Sequence, residues 1–97
     1  MTTSNPGANG GAKPSLLEFP CRFPIKAMGR QSDQFEATVL ELVGQQASLL
    51  EDEPVKVTPS GAGNFVSVTV VIEAQSQQQL DAIYQDLTDS EWVLMAL

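Results

Sequence analysis

Histidine is absent from this chain of 97 residues. That absence removes Ser-His-Asp and Cys-His nucleophiles, histidine general bases and the commonest metal ligand. Cysteine occurs once, at Cys21, so no internal disulfide can form. Arg22 beside it could lower the thiol pKa but points to the opposite side of a strand, so a buried or half-buried structural cysteine is expected. Positive charge is scarce: 5 Lys and Arg stand against 12 Asp and Glu. The last basic residue is Lys56, and only Glu73, Asp81, Asp86, Asp89 and Glu91 carry charge after it. Nucleic-acid binding draws most of its affinity from Lys and Arg on phosphates, so neither nucleic acid nor an anionic membrane is an expected partner. No signal-peptide pattern opens the chain, and no apolar run approaches the ~20 residues that span a bilayer. A cytoplasmic location is the expectation.

What remains is enough for one small domain. A domain of this size hides only about 60–65% of the surface of its unfolded chain, so leftover apolar surface is expected to meet a partner. Residues 1–14 are polar and Gly-rich without helical or strand period, and read as a disordered tail before a domain over residues 15–97. Cys21 to Met28 alternates, with Cys21, Phe23, Ile25 and Ala27 on one side. Pro24 lacks an amide donor and predicts an irregular start or a bulge; Gly29 is expected to end the strand. A helix follows from about Asp33 to Gln46, opened by a partial capping box of Asp33 and Glu36.

The acidic run Glu51-Asp52-Glu53 lies in a connection and reads as solvated charge; three consecutive carboxylates seldom converge on a cation, so no metal site is expected. Val55 to Thr58 is a short strand, and residues 59–64 form the hairpin turn to the next. Gly61-Ala62-Gly63 precedes a strand, whereas phosphate loops precede helices. Phe65 to Ala74 is the clearest strand, with Val66, Val68, Val70, Ile72 and Ala74 on a wholly apolar side. Ser76 and Gln79 form a capping box for a second helix, in which Leu80, Ile83, Tyr84 and Leu87 share one face. After a turn over residues 88–90, Trp92 to Leu97 is a final strand, apolar on both sides.

The element order predicts an α+β, ferredoxin-like βαββαβ sandwich: a four-stranded antiparallel sheet with two helices on one face. The other face stays open. Phe65, Ser67, Thr69 and Val71 are expected there, with either Trp92, Leu94 and Ala96 or Val93, Met95 and Leu97 from the last strand. Apolar side chains on an open face mark an interaction surface, so self-association or a protein partner is expected. The loop from Met28 to Ser32 leads into a helix N-terminus; Gly29 and Arg30 are candidates to receive a small carboxylate there. RNA on the sheet, stacked on Phe65 and Trp92, is a further alternative that the acidic balance opposes. With no paired acid and base, the chain is expected to be no enzyme and to need no cofactor.

From Leu16 to Leu97 the chain resembles the YbeD-like family of small bacterial proteins. The residues that carry the likeness are Leu17-Glu18-Phe19-Pro20, Lys26-Ala27-Met28-Gly29, Ser60 with Gly63-Asn64-Phe65, Ser67-Val68 and the closing Val93-Leu94-Met95-Ala96-Leu97. The resemblance implies a fold close to ACT regulatory domains, which bind amino acids or other small molecules. It also implies a regulatory or adaptor role, with a link to lipoate metabolism inferred from gene neighbourhood. Of the Asp and Pro-Gly that many ACT domains carry in the first strand-to-helix loop, Met28-Gly29-Arg30 keeps the Gly.

Overall fold

A computed structural model describes residues 17–97; the expected tail over 1–14 lies outside the described residues. Six elements follow in the order anticipated: β1 (Cys21–Arg30), α1 (Phe35–Gly44), β2 (Lys56–Ser60), β3 (Phe65–Ala74), α2 (Gln77–Asp89) and β4 (Met95–Ala96). The four strands form one antiparallel sheet in the order β2-β3-β1-β4. This is the ferredoxin-like arrangement. Both helices lie on one side, where Phe35, Val39 and Val43 of α1 and Leu80, Ile83 and Leu87 of α2 form one cluster with the sheet. The sheet contributes Ile25 and Ala27 from β1 and all five apolar members of the expected β3 face. Strand alternation on β3 thus decides which side the helices cover.

Several boundaries differ from the sequence reading. β1 runs to Arg30 and is paired with β3 without a break from Cys21↔Ala74 to Arg30↔Phe65, so Gly29 does not end it and Pro24 makes no bulge. The amides of Lys26 and Leu97 show why. Each bonds the other's carbonyl, so even-numbered residues of β1 turn their amides toward β4. β4 pairs only with Ala27 and Met28, and the nitrogen of Pro24 faces an edge with no ladder to break. α1 is shorter than expected. Its N-cap is Gln34, which makes no side-chain cap bond, and Asp33 with Glu36 forms no capping box; Ser32 Oγ instead accepts from the Gln34 amide at 3.1 Å.

β2 begins at Lys56 and takes in Pro59 and Ser60, although the run of turn formers over 59–64 predicts the hairpin turn there. It is an edge strand, exposed throughout, and Pro59 there blunts further pairing. Gly61, Ala62 and Gly63 all take positive φ in the tight hairpin turn. α2 extends through Asp89, past the turn expected from Thr88. The final strand is only Met95–Ala96, because the chain bends at Leu94 after a turn at Glu91 and Trp92.

The capping box of α2 forms in modified shape. Ser76 Oγ accepts from the Gln79 amide at 3.1 Å, but the Gln79 side chain reaches the Gln75 amide, at 2.6 Å, rather than that of Ser76. Its Nε2 also donates to the Gln46 carbonyl, tying the start of α2 to the end of α1. Ser76→Ala is expected to cost about 1 kcal/mol of stability, readable as a lower urea midpoint with an unchanged slope.

Candidate functional site

The sheet side opposite the helices carries the alternate residues of each strand. Register sets them in rows. Leu97, Lys26, Thr69 and Lys56 form one row from β4's end to β2. Met95, Met28, Ser67 and Thr58 form the next, and Arg30, Phe65 and Ser60 the third. Toward the other end lie Pro24 with Val71 and Arg22 with Glu73. The expected residues Phe65, Ser67, Thr69 and Val71 therefore do share this face. Ser67 is only 6% exposed, a small side chain between taller neighbours, and offers little contact of its own. Phe65 is half-buried because its ring lies over Gly61 of the hairpin turn.

The last strand resolves the parity that the sequence left open. Met95, 51% exposed, and Leu97, 63% exposed, stand on the open face, while Ala96 pairs with Ala27 on the helix side. Trp92 and Leu94 are not among these rows. They lie before β4 and line a shallow cavity of about 300 Å³ with Arg30, Gln31, Ser32 and Glu91. Sequence reasoning missed Lys26, Met28 and Lys56 as members of the face. The strict alternation of β1 carried the signal for Lys26 and Met28; the position of Lys56 depended on where β2 begins.

One end of the face is capped by charge. Leu49 bridges to Ile72 and the Leu50 amide reaches the Val71 carbonyl, so this segment continues the sheet edge beyond β2. The next turn brings Asp52 and Glu53 to Arg22, across β3. Arg22 Nη2 donates to Asp52 Oδ2 at 3.0 Å and Nη1 to Glu53 Oε2. The acidic run is thus a clamp on β1 at two of its three residues, not merely a solvated stretch. The Arg22 hydrogen bond holds the Asp52 carboxyl below its ordinary value, and the same contact raises the Arg22 guanidinium. A depressed carboxyl contributes stability above its unfolded value and loses it as pH falls through the folded one. The clamp should therefore be intact at neutral pH and release on acidification below the usual carboxylate range. Arg22→Ala should move the Asp52 titration, followed by carboxyl NMR, back up to the ordinary value.

At the opposite corner, Gly29 is buried. A Cβ on it would overlap the Phe35 ring and the carbonyl oxygen of Trp92. Only hydrogen fits at this position, so the close approach of β1 to Phe35 and to the Trp92 carbonyl requires glycine here. Arg30 is exposed and lines the cavity together with Glu91, with Trp92 and Leu94 supplying apolar wall. Part of the loop's hydrogen bonding is already used: the Gln31 amide bonds the Asn64 carbonyl at 3.0 Å, and the Phe35 amide bonds that of Ser32. Cys21 is a free, half-buried thiol at the start of β1, packed against the core. Among the described residues, no three His, Cys, Asp or Glu side chains are grouped to hold a metal ion, and no helix is long and apolar enough to cross a membrane.

Comparison with known proteins fits this architecture. The model of the family described as "Protein of unknown function (DUF493)" matches residues 14–97, and the chain belongs to that family. A UPF0250 protein of Chromobacterium violaceum is 45% identical over 85 residues, covering 88% of this chain and 96% of the relative. A UPF0250 protein of Ralstonia nicotianae is 37% identical over 97 residues, the full length of both chains. Among solved structures, protein HP0495 of H. pylori superposes with a TM-score of 0.67 at 17% identity, covering 94% of this chain and 96% of that one. The ACT domain from GTP pyrophosphokinase of Chlorobium tepidum gives 0.62 at 8% identity, covering 78% and 94%. At such identities the likeness shows the fold, which is ACT-like as the family resemblance implied.

Proposed function

We propose that this member of the DUF493 family is a small non-catalytic regulatory or adaptor domain that acts by docking a protein partner on its open sheet face. The observation that carries the reading is the unroofed face itself, where Met95 and Leu97 are exposed and Met28 and Phe65 half-exposed in adjoining rows. Met side chains adapt to irregular partners, which suits a docking surface. The non-catalytic part of the reading rests on the sequence, which has no histidine to serve as a general base. A photo-crosslinking residue placed at Met95, and separately at Gln85 on the helix side, tests this in cells. Adducts from position 95 and not from 85 are expected. Equal adducts from both, or none from 95, would end the reading. Among partners, a protein of lipoate metabolism comes first on family resemblance alone.

A second reading is favoured by one observation, the corner cavity lined by Arg30, Glu91 and Trp92. Such a site suits a small carboxylate, or an amino acid whose ammonium faces Glu91. Its size is at the low end for ligand pockets, roughly 300–1,000 Å³. Thermal-shift screening of amino and carboxylic acids checks it: a ligand that raises the melting temperature, and no longer does so in Arg30→Ala, is the expected result. A flat screen sinks it.

A further inference from the structure

The chain is acidic, yet every basic residue in the described part stands on one side of the sheet. Arg22, Lys26 and Arg30 occupy alternate positions of β1 on the open face, and Lys56 faces the same way from β2. Arg22 is consumed by Asp52 and Glu53. Lys26, Arg30 and Lys56 are exposed and make no ion pair among the described residues. They frame the apolar patch: Lys26 and Lys56 flank Thr69, roughly 10 Å apart across two strand spacings, and Arg30 lies one row beyond Met28. On the helix side, Glu36, Glu41, Asp81, Asp86 and Asp89 carry charge of one sign only.

Resting on the docking reading above, we propose that the partner is an acidic protein segment with interspersed apolar side chains, and not a second copy of this chain. Charge complementarity selects it. In a two-fold dimer stacked face to face with Lys26, Arg30 and Lys56 meeting their own copies, juxtaposed like charges would oppose association; Glu73, the one carboxylate of these rows, lies at the far end beside Arg22. An acidic segment meets Lys26, Arg30 and Lys56 with carboxylates while its apolar residues cover Met28, Met95 and Phe65. The carboxylates of the helix layer lie about 10 Å behind the sheet, beyond the ~8 Å over which exposed charges are felt at physiological salt. RNA fits less well. The centre of the face offers Ser67 and Thr69 where a stacking platform needs aromatics, and Trp92 is not on it.

Fluorescence anisotropy with a labelled peptide rich in Glu and Leu tests the proposal, with a matched Lys-Leu peptide and oligouridylate as alternatives. Saturable binding of the Glu-Leu peptide, weakening as salt rises, is expected. The triple variant Lys26→Glu/Arg30→Glu/Lys56→Glu should lose at least about tenfold in affinity. Ala37→Glu/Gln78→Glu, which adds negative charge on the helix side, should leave binding unchanged; circular dichroism confirms that both variants fold. No binding of the Glu-Leu peptide, affinity indifferent to the triple reversal, tighter binding of oligouridylate, or a dimer in sedimentation that Met95→Asp dissolves would each overturn it. The crosslink at position 95 separates the two claims. If it survives the triple reversal, the face docks a partner that is not acidic; if it is absent from the wild type, the docking reading itself has failed.

Discussion

Gly29→Ala is expected to destabilise the domain by about 3 kcal/mol, at the upper end for overpacking a filled site. The added methyl has two obstacles of different kinds. One is the Phe35 ring, which a rotamer change relieves only by disturbing a side chain that is 1% exposed. The other is the carbonyl oxygen of Trp92, which is backbone and moves only if the turn into β4 moves. That turn is held by the Val93 amide on the Ser90 carbonyl and the Leu94 amide on the Met28 carbonyl. A loss of this size should lower the melting temperature by roughly 12–24 °C in a domain of this length. The lone tryptophan, Trp92, sits at the point of strain and reports it by fluorescence. A variant that unfolds at the wild-type midpoint would show that the corner is loosely packed, and the close approach of β1 to α1 and the β4 turn would have to be abandoned.

Phe35→Ala acts on the same contact from the other side and should cost about 4 kcal/mol, the transfer energy of a buried ring together with the cavity it leaves. Phe35 is the first residue of α1 and joins Val39 and Val43 in the cluster under the sheet. Total stabilities of small domains are about 5–15 kcal/mol, so this single change threatens folding at elevated temperature. Phe65, on the open face and half-exposed, makes the contrast: Phe65→Ala should cost much less, because its ring meets the hairpin turn and water rather than the core. The double variant Gly29→Ala/Phe35→Ala should be less damaging than the two singles combined, since the new methyl enters space the ring vacated. Rescue should stay incomplete because the Trp92 carbonyl remains. Urea denaturation followed by circular dichroism and fluorescence gives all four corners of the cycle; strict additivity would mean that Gly29 and Phe35 do not share the space.

These two residues show where sequence reading reached and where it stopped. The spacing of Phe35, Val39 and Val43 at i, i+4 and i+8 is by itself the pattern of a buried helix face, and all three are core. Gly29 follows an alternating run, where glycine commonly ends a strand, yet β1 continues through it to Arg30. Its actual neighbours come from α1 and from the turn before β4, more than sixty residues along the chain. Pro24 misled for the same reason: whether a missing amide breaks a ladder depends on which edge it faces, and that edge is set by the length of β4.

The amino-acid order specifies the succession of the six elements, the apolar side of β3, the Ser76 cap and the ferredoxin-like plan, because each follows from periodicity or from contacts within a few residues. It also determined that one sheet side would be free of helices. Tertiary structure alone decided what that side carries. Lys26 and Lys56 flank the same threonine only through the register of β1 and β2 on β3, and Asp52 with Glu53 removes Arg22 from the set only because a loop folds back across the sheet. Side-chain alternation is a local property of one strand; the company a charge keeps is a property of how strands from distant parts of the chain are aligned.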